Sequence, residues 1–205
     1  MRGDMRQKYY AFIRDRRFLG ALLAVTFAYV TCFAFLRNPL LEDNTASLIG
    51  LDYPLLFFFW QLLVGLSLVY GILAVYHIYG CPEPLRTVGK IAAWTSPPCQ
   101  AIIYFVHADI ENGEIVYLGV KREIHWAATI IFMLAVLLSA GIAFYGAGKK
   151  VRRFNALLIA IGAVALAMAA VFFTVGKSGL FETAPLWALL AMLFLVHCTK
   201  LFRIP

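Results

Sequence analysis

The sequence predicts an all-α, integral membrane six-helix bundle with the amino and carboxyl termini on the cytoplasmic side. Three observations carry that expectation. The 205-residue chain is 62% hydrophobic and only 14% charged, with a mean hydropathy of +0.81, whereas an ordinary globular domain carries about 25% charged residues. Apolar blocks recur from one end to the other with connections too short to fold separately, so residues 1–205 read as a single transmembrane domain. The basic residues, finally, gather at alternate ends of those blocks, as the positive-inside rule requires.

Residues 1–17 hold six basic side chains, Arg2, Arg6, Lys8, Arg14, Arg16 and Arg17, interleaved with Tyr9, Tyr10 and Phe12. That mixture suits a short amphipathic helix lying in the membrane interface. The first span, residues 18–36, has the roughly 20 residues needed to cross about 30 Å of hydrocarbon. It is followed by Arg37-Asn38-Pro39 with no small-residue cleavage pattern and is expected to stay in the protein. Glu42, Asp43 and Asp52 place the next connection on the opposite side. The second span, residues 54–79, opens on Pro54, tolerated in a first helical turn, and on the aromatic run Phe57-Phe58-Phe59-Trp60, suited to an interface.

Topology turns on the third span, residues 88–106. Lys90 near its start can snorkel to the interface, and Gln100 is its other strongly polar side chain. Pro97-Pro98 removes two backbone donors and disfavours helix at Ser96, which predicts a kinked or locally unwound segment covered by neighbouring helices. The remaining spans are residues 124–146, 154–175 and 184–202, with the basic turn Lys149-Lys150-Val151-Arg152-Arg153 before the fifth. Ala156, Ala160, Gly162, Ala163, Ala167 and Ala170 predict a central place for that fifth span, since small residues let helices approach closely.

Charge tests the count of spans. Six crossings put fourteen of the eighteen basic residues on the inner side and eight of the eleven acidic residues on the outer side. Leaving 88–106 out of the bilayer would move the Lys149–Arg153 cluster outside, against the orientation preference. The net charge of +7 therefore reflects topology; no interleaved basic and aromatic patch of the nucleic-acid kind is present, and no nucleic acid is expected as a partner. The expected location is the inner or plasma membrane of a bacterium, or an organelle membrane otherwise.

No motif specifies a reaction, so no catalytic residue is assigned. Cys32, Cys81, Cys99 and Cys198 lack a CxxC arrangement and read as small apolar residues. Gly176-Lys177-Ser178 has the ending of a P-loop but Val171 where the earlier glycine is required. The span interiors contain no Asp, Glu, Lys or Arg, so the charged relay of ion-coupled transport is missing. Four histidines fall into two sets by depth. His107 and His125, near the outer face with Asp109 and Glu123, make a set of two imidazoles and two carboxylates suited to copper, zinc or non-haem iron, although such residues at helix ends serve equally as a hydrogen-bond network. His77 and His197, near the inner face, are candidates for axial haem ligation between facing helices.

The order of elements also resembles the damage-regulated autophagy modulator family and its bacterial relatives. The likeness rests on the six spans, the extracytosolic loop after the first, the kinked third span, the run from His125 to Phe132 that opens the fourth, and Glu182 just before an apolar last span. The first-loop signature of the eukaryotic members is absent. The resemblance implies a non-enzymatic multi-pass protein that acts on membrane lipids or partner proteins. The expected function is thus a membrane protein without catalysis of its own, binding lipids or other membrane protein subunits; the alternative is a subunit of a membrane-bound redox complex holding copper or haem through its histidines.

Overall fold

The computed structural model describes residues 15–40, 44–107, 109–111, 114–116, 119–175 and 178–202. Among them the chain forms seven helices, α1 (Arg16–Ala34), α2 (Ala46–Asp52), α3 (Pro54–Tyr79), α4 (Glu83–Phe105), α5 (Lys121–Gly148), α6 (Phe154–Val175) and α7 (Gly179–Cys198). A two-stranded antiparallel hairpin, β1 (Asp109–Glu111) and β2 (Glu114–Val116), pairs Asp109 with Val116 and Glu111 with Glu114. It occupies the connection expected to be an acidic loop. The proposed interfacial helix at residues 1–17 lies almost wholly outside the described residues.

Helix starts follow local chemistry. The Asp15 carboxylate accepts the amides of Arg17 and Phe18 and begins α1, and Thr45 and Ser178 hydroxyls do the same for α2 and α7, each satisfying donors that a helix end leaves orphaned. Pro54 opens α3, where its missing N–H costs nothing. These caps move the sixth span from 184–202 to Gly179–Cys198, which brings Glu182 into a helical first turn, and the first from 18–36 to Arg16–Ala34. The fourth runs over Lys121–Gly148, beyond the expected 124–146 at both ends. Helix α2 lies in a stretch expected to be a plain connection.

Five helices, α1, α3, α5, α6 and α7, are long and apolar enough to cross a membrane. Helix α4 is as long, 23 residues or about 35 Å at 1.5 Å per residue, but less apolar. It begins at Glu83 instead of Val88 and runs as an uninterrupted α-helix through Pro97 and Pro98, so the local unwinding expected there does not occur. Two prolines cancel two backbone bonds while those on either side persist, and packing against α3 and α5 holds the helix on both flanks. Ser96, Cys99 and Gln100 are buried as expected, whereas Pro98 is exposed.

The centre of the bundle is α3, not the fifth span. In its most apolar stretch 56% of residues are buried, against 11% for α6. Helix α3 packs on α1, α2, α4, α5 and α7, while α6 packs on α5 and α7 at the edge. The small residues of α6 point away from the bundle: Gly162, Ala163, Ala167 and Ala170 are exposed, and a Cβ on Gly162 would meet nothing within 4 Å. Close approach is used along α3 instead. A Cβ on Gly71 would lie 2.9 Å from Leu193 of α7, and one on Gly65 would strike Gln100 of α4.

Polar side chains pin α3 to its neighbours. Thr26 of α1 and Ser67 share a hydrogen bond of 2.6 Å. Tyr76 donates to the Ser139 carbonyl of α5 at 2.7 Å, and the Ser139 hydroxyl donates on to the Gly89 carbonyl of α4 at 2.7 Å. His197 of α7 donates from Nε2 to the Gly71 carbonyl at 3.0 Å. Helix carbonyls keep a second lone pair for such contacts. At the end opposite the hairpin, Tyr79 donates to the Phe202 carbonyl and its ring packs on Phe154, which also meets Phe202. The turn after α3 lies beside the turn after α5: Cys81 packs where Gly146 leaves room for its sulfur, and burial pushes that thiol above its ordinary pKa against the pull of Lys149 and Arg86.

Gly89 sits directly under the Tyr76 hydroxyl, so a methyl group there must displace the ring that links three helices. Gly89→Ala is expected to lower stability in detergent by about 1–3 kcal/mol, read as a fall in melting temperature. Gly162→Ala, on the open face of α6, is expected to leave it unchanged or slightly raised.

Candidate functional site

Two adjoining spaces lie toward the hairpin end. Their shape follows from how that end is closed. After α1 the chain folds back over the bundle: the Leu180 amide donates to the Pro39 carbonyl at 2.8 Å, Arg37 pairs with Asp52, and the Ala46 amide at the start of α2 donates to Glu182 Oε2 at 2.7 Å. A negative carboxylate there complements the positive end of a helix. On the other side, His125 at the start of α5 is buried and donates from Nδ1 to the Val106 carbonyl at 2.8 Å, tying α5 to the end of α4.

Between these closures is a cavity of about 40 Å³ walled by α2, α3, α4, α5 and α7, with Ser47, Trp60, Gln61, His125, Phe132 and Glu182 among its lining residues. At roughly 10–15 Å³ per water it has room for about three or four. Beside it, a groove of about 300 Å³ runs between α3 and α4. Its rim is aromatic, with Phe58, Trp94 and Phe105 exposed, and Gly65 makes room in its floor for the Gln100 side chain. Gln61 lines both spaces.

The floor holds unmatched polar atoms. Gln61 is 6% exposed and Gln100 4%, yet Gln61 Oε1 and Gln100 Nε2 have no hydrogen-bond partner within the protein, and neither has Trp60 Nε1 of the adjoining cavity. A buried polar group left unpaired costs about 1–3 kcal/mol, so such groups call for a water or a ligand. No charged side chain lines the groove.

The residues singled out from sequence are placed differently. His125 returns to the end of α4, as two histidines converging across the loop would require, and it meets the backbone at Val106 while the adjacent His107 is exposed. Glu123 is exposed, and the side chain of Asp109 lies outside the described residues. The Nε2 nitrogen of His197 is engaged by Gly71, six residues and about 9 Å of helix from His77 on α3; His77 itself is half-buried. Among the described residues no three of His, Cys, Asp and Glu gather closely enough to hold a metal ion. Gln61 is not ionisable and carries no motif; a glutamine inside an apolar span is itself the signal in the sequence.

Comparisons of the chain with family models, curated proteins and solved structures find no match.

Glu182 carries the closure of this end. Glu182→Ala is expected to cost about 1.5–3 kcal/mol, the range for a hydrogen bond to a charged group, and to speed amide exchange specifically at Ala46–Asp52. An exchange pattern unchanged in α2 would show that the carboxylate does not hold it.

Proposed function

We propose that this protein is a six-span membrane protein with both termini cytoplasmic, α4 being the sixth crossing, and that it binds a membrane lipid in the groove between α3 and α4 without catalysing a reaction on it. The observation that carries the reading is the groove itself: an apolar, aromatic-rimmed cleft of about 300 Å³, within the size range of ligand pockets, flanked by exposed apolar residues that a bilayer would solvate. Helix α4 is the least apolar of the long helices, and Ser96 and Gln100 in its second half are buried while Glu83 and Thr87 near its start are exposed.

Orientation is supported by the distribution of charge over the two ends. Arg16, Arg17, Arg86, Lys90, Lys149, Lys150, Arg152, Arg153 and Lys200, against Asp15 and Glu83, belong to the end of the short turns after α3 and α5, whereas the hairpin end balances Arg37, Lys121 and Arg122 against Asp52, Glu123 and Glu182. Lys149 stacks over the Tyr145 ring at 4.9 Å, the pairing of cation and aromatic suited to an interface. The three positions on which the family resemblance rests, His125, Phe132 and Glu182, line one cavity, which supports reading them as a set.

Two measurements test this. In a cysteine-free background, cysteines placed at Glu111 and at Lys149 are expected to label from opposite sides of the membrane; labelling from one side refutes six spans. Protein purified in mild detergent is expected to retain lipid, and Gly65→Leu, which fills the floor of the groove, to retain several-fold less. Equal retention by both would reject the groove as the binding site.

A further inference from the structure

We infer that the groove between α3 and α4 selects a neutral lipid bearing a free hydroxyl group, held by Gln61 and Gln100, in preference to a phospholipid. The inference rests on the lipid-binding reading above and adds the chemistry of the ligand.

The argument begins with what is unpaired. Gln61 Oε1 is an acceptor without a donor, and Gln100 Nε2 is a donor without an acceptor. Both belong to side chains more than nine-tenths buried, and both line the same groove. A hydroxyl group is the smallest function that donates and accepts at once. It also tolerates either amide being turned end for end, because its proton rotates to suit. An ester or ketone carbonyl accepts only, so it satisfies Gln100 and leaves Gln61 unmatched.

Depth and charge narrow the class further. Gln61 lies seven residues into α3 from Pro54, about 10 Å at 1.5 Å per residue, and Gln100 five residues before the end of α4, about 8 Å, so both sit inside the hydrocarbon region of a bilayer spanned by these helices. A phosphate or ammonium carried to that depth would need a counter-charge, and the groove offers none. Its walls run from Phe58 to Tyr70 on α3 and from Trp94 to Phe105 on α4, about 18 Å, roughly the depth of one leaflet. That length fits an apolar chain or ring system attached to the hydroxyl. Gly65 fits the same picture, since any side chain there would occupy the space of the Gln100 amide.

The test uses the full chain in phosphatidylcholine nanodiscs with a diazirine-tagged octadecanol as photoprobe. Saturable labelling is expected at groove residues such as Leu66, Trp94 and Ala101. Unlabelled octadecanol is expected to compete about tenfold better than octadecyl methyl ether, which keeps the chain and oxygen but cannot donate; the one hydrogen bond forfeited, with the buried acceptor it leaves unpaired, is of that order. Gln61→Leu is expected to erase the difference while groove labelling persists, and Gln100→Leu, which removes a donor that both oxygens accept, to weaken alcohol and ether alike. Should the leucine variants fail to fold, Gly65→Ala displaces the Gln100 amide without removing it and is expected to weaken alcohol and ether alike, and the comparison of alcohol with ether on the unaltered chain needs no variant. Equal competition by alcohol and ether overturns the hydroxyl preference and leaves the lipid site standing. Competition by phosphatidic acid as strong as by octadecanol also overturns it, as does an undiminished preference in Gln61→Leu. Absence of saturable labelling in the groove overturns this inference and the lipid site together.

Discussion

Helix α3 is apolar on every face, and that constraint organises the rest. A helix hydrophobic all round belongs in a protein core or in a membrane, and α3 packs on five other helices while Leu55, Phe58, Phe59 and Leu62 stay exposed. Because lipid tails are as apolar as leucine, apolarity alone does not draw helices together in a bilayer; close contact and hydrogen bonds do. Helix α3 supplies both, with Gly65 and Gly71 at contact points and Ser67, Tyr76 and the Gly71 carbonyl engaged across to α1, α5 and α7.

The same logic separates the two halves of the bundle. Toward the basic end the interior polar groups find protein partners: Tyr76 reaches Ser139, Ser139 reaches Gly89, Tyr79 reaches the Phe202 carbonyl. Those contacts give that half one specified packing. Toward the hairpin end Trp60, Gln61 and Gln100 are buried with polar atoms unmatched, and it is there that the helices part to leave a cavity and a groove. Unsatisfied polarity and open volume at one place are the physical marks of a site, because each alone would be removed by slightly better packing.

Closure of the hairpin end depends on long-range contacts. Glu182 near the end of the chain holds the start of α2, and His125 holds the end of α4. Both wall the small cavity that shares Gln61 with the groove. Occupancy of the groove is therefore in contact with the elements that close this end, through one side chain.

Much of the architecture is legible in the residues. The long apolar runs, their lengths and the turns between them are local properties, set by the need to hydrogen-bond the backbone within each segment, and the helices appear where the pattern places them, within a few residues. The charge alternation is readable for the same reason. Helix ends shifted by a few residues because Asp15, Ser178 and the prolines at 82 and 84 cap or open turns outside the apolar run. Which helix is central is not a local property. Helices α3 and α6 are both apolar and both carry small residues, and only the packing reveals that Gly65 and Gly71 meet partners whereas Gly162 faces outward. The candidate site was hidden for a related reason. His107, Glu123 and His77 are chemically conspicuous but stand at helix ends, while Gln61 and Gln100, thirty-nine positions apart in the chain, become a pair only when α3 and α4 lie side by side with Gly65 between them, a juxtaposition that no spacing in the sequence encodes.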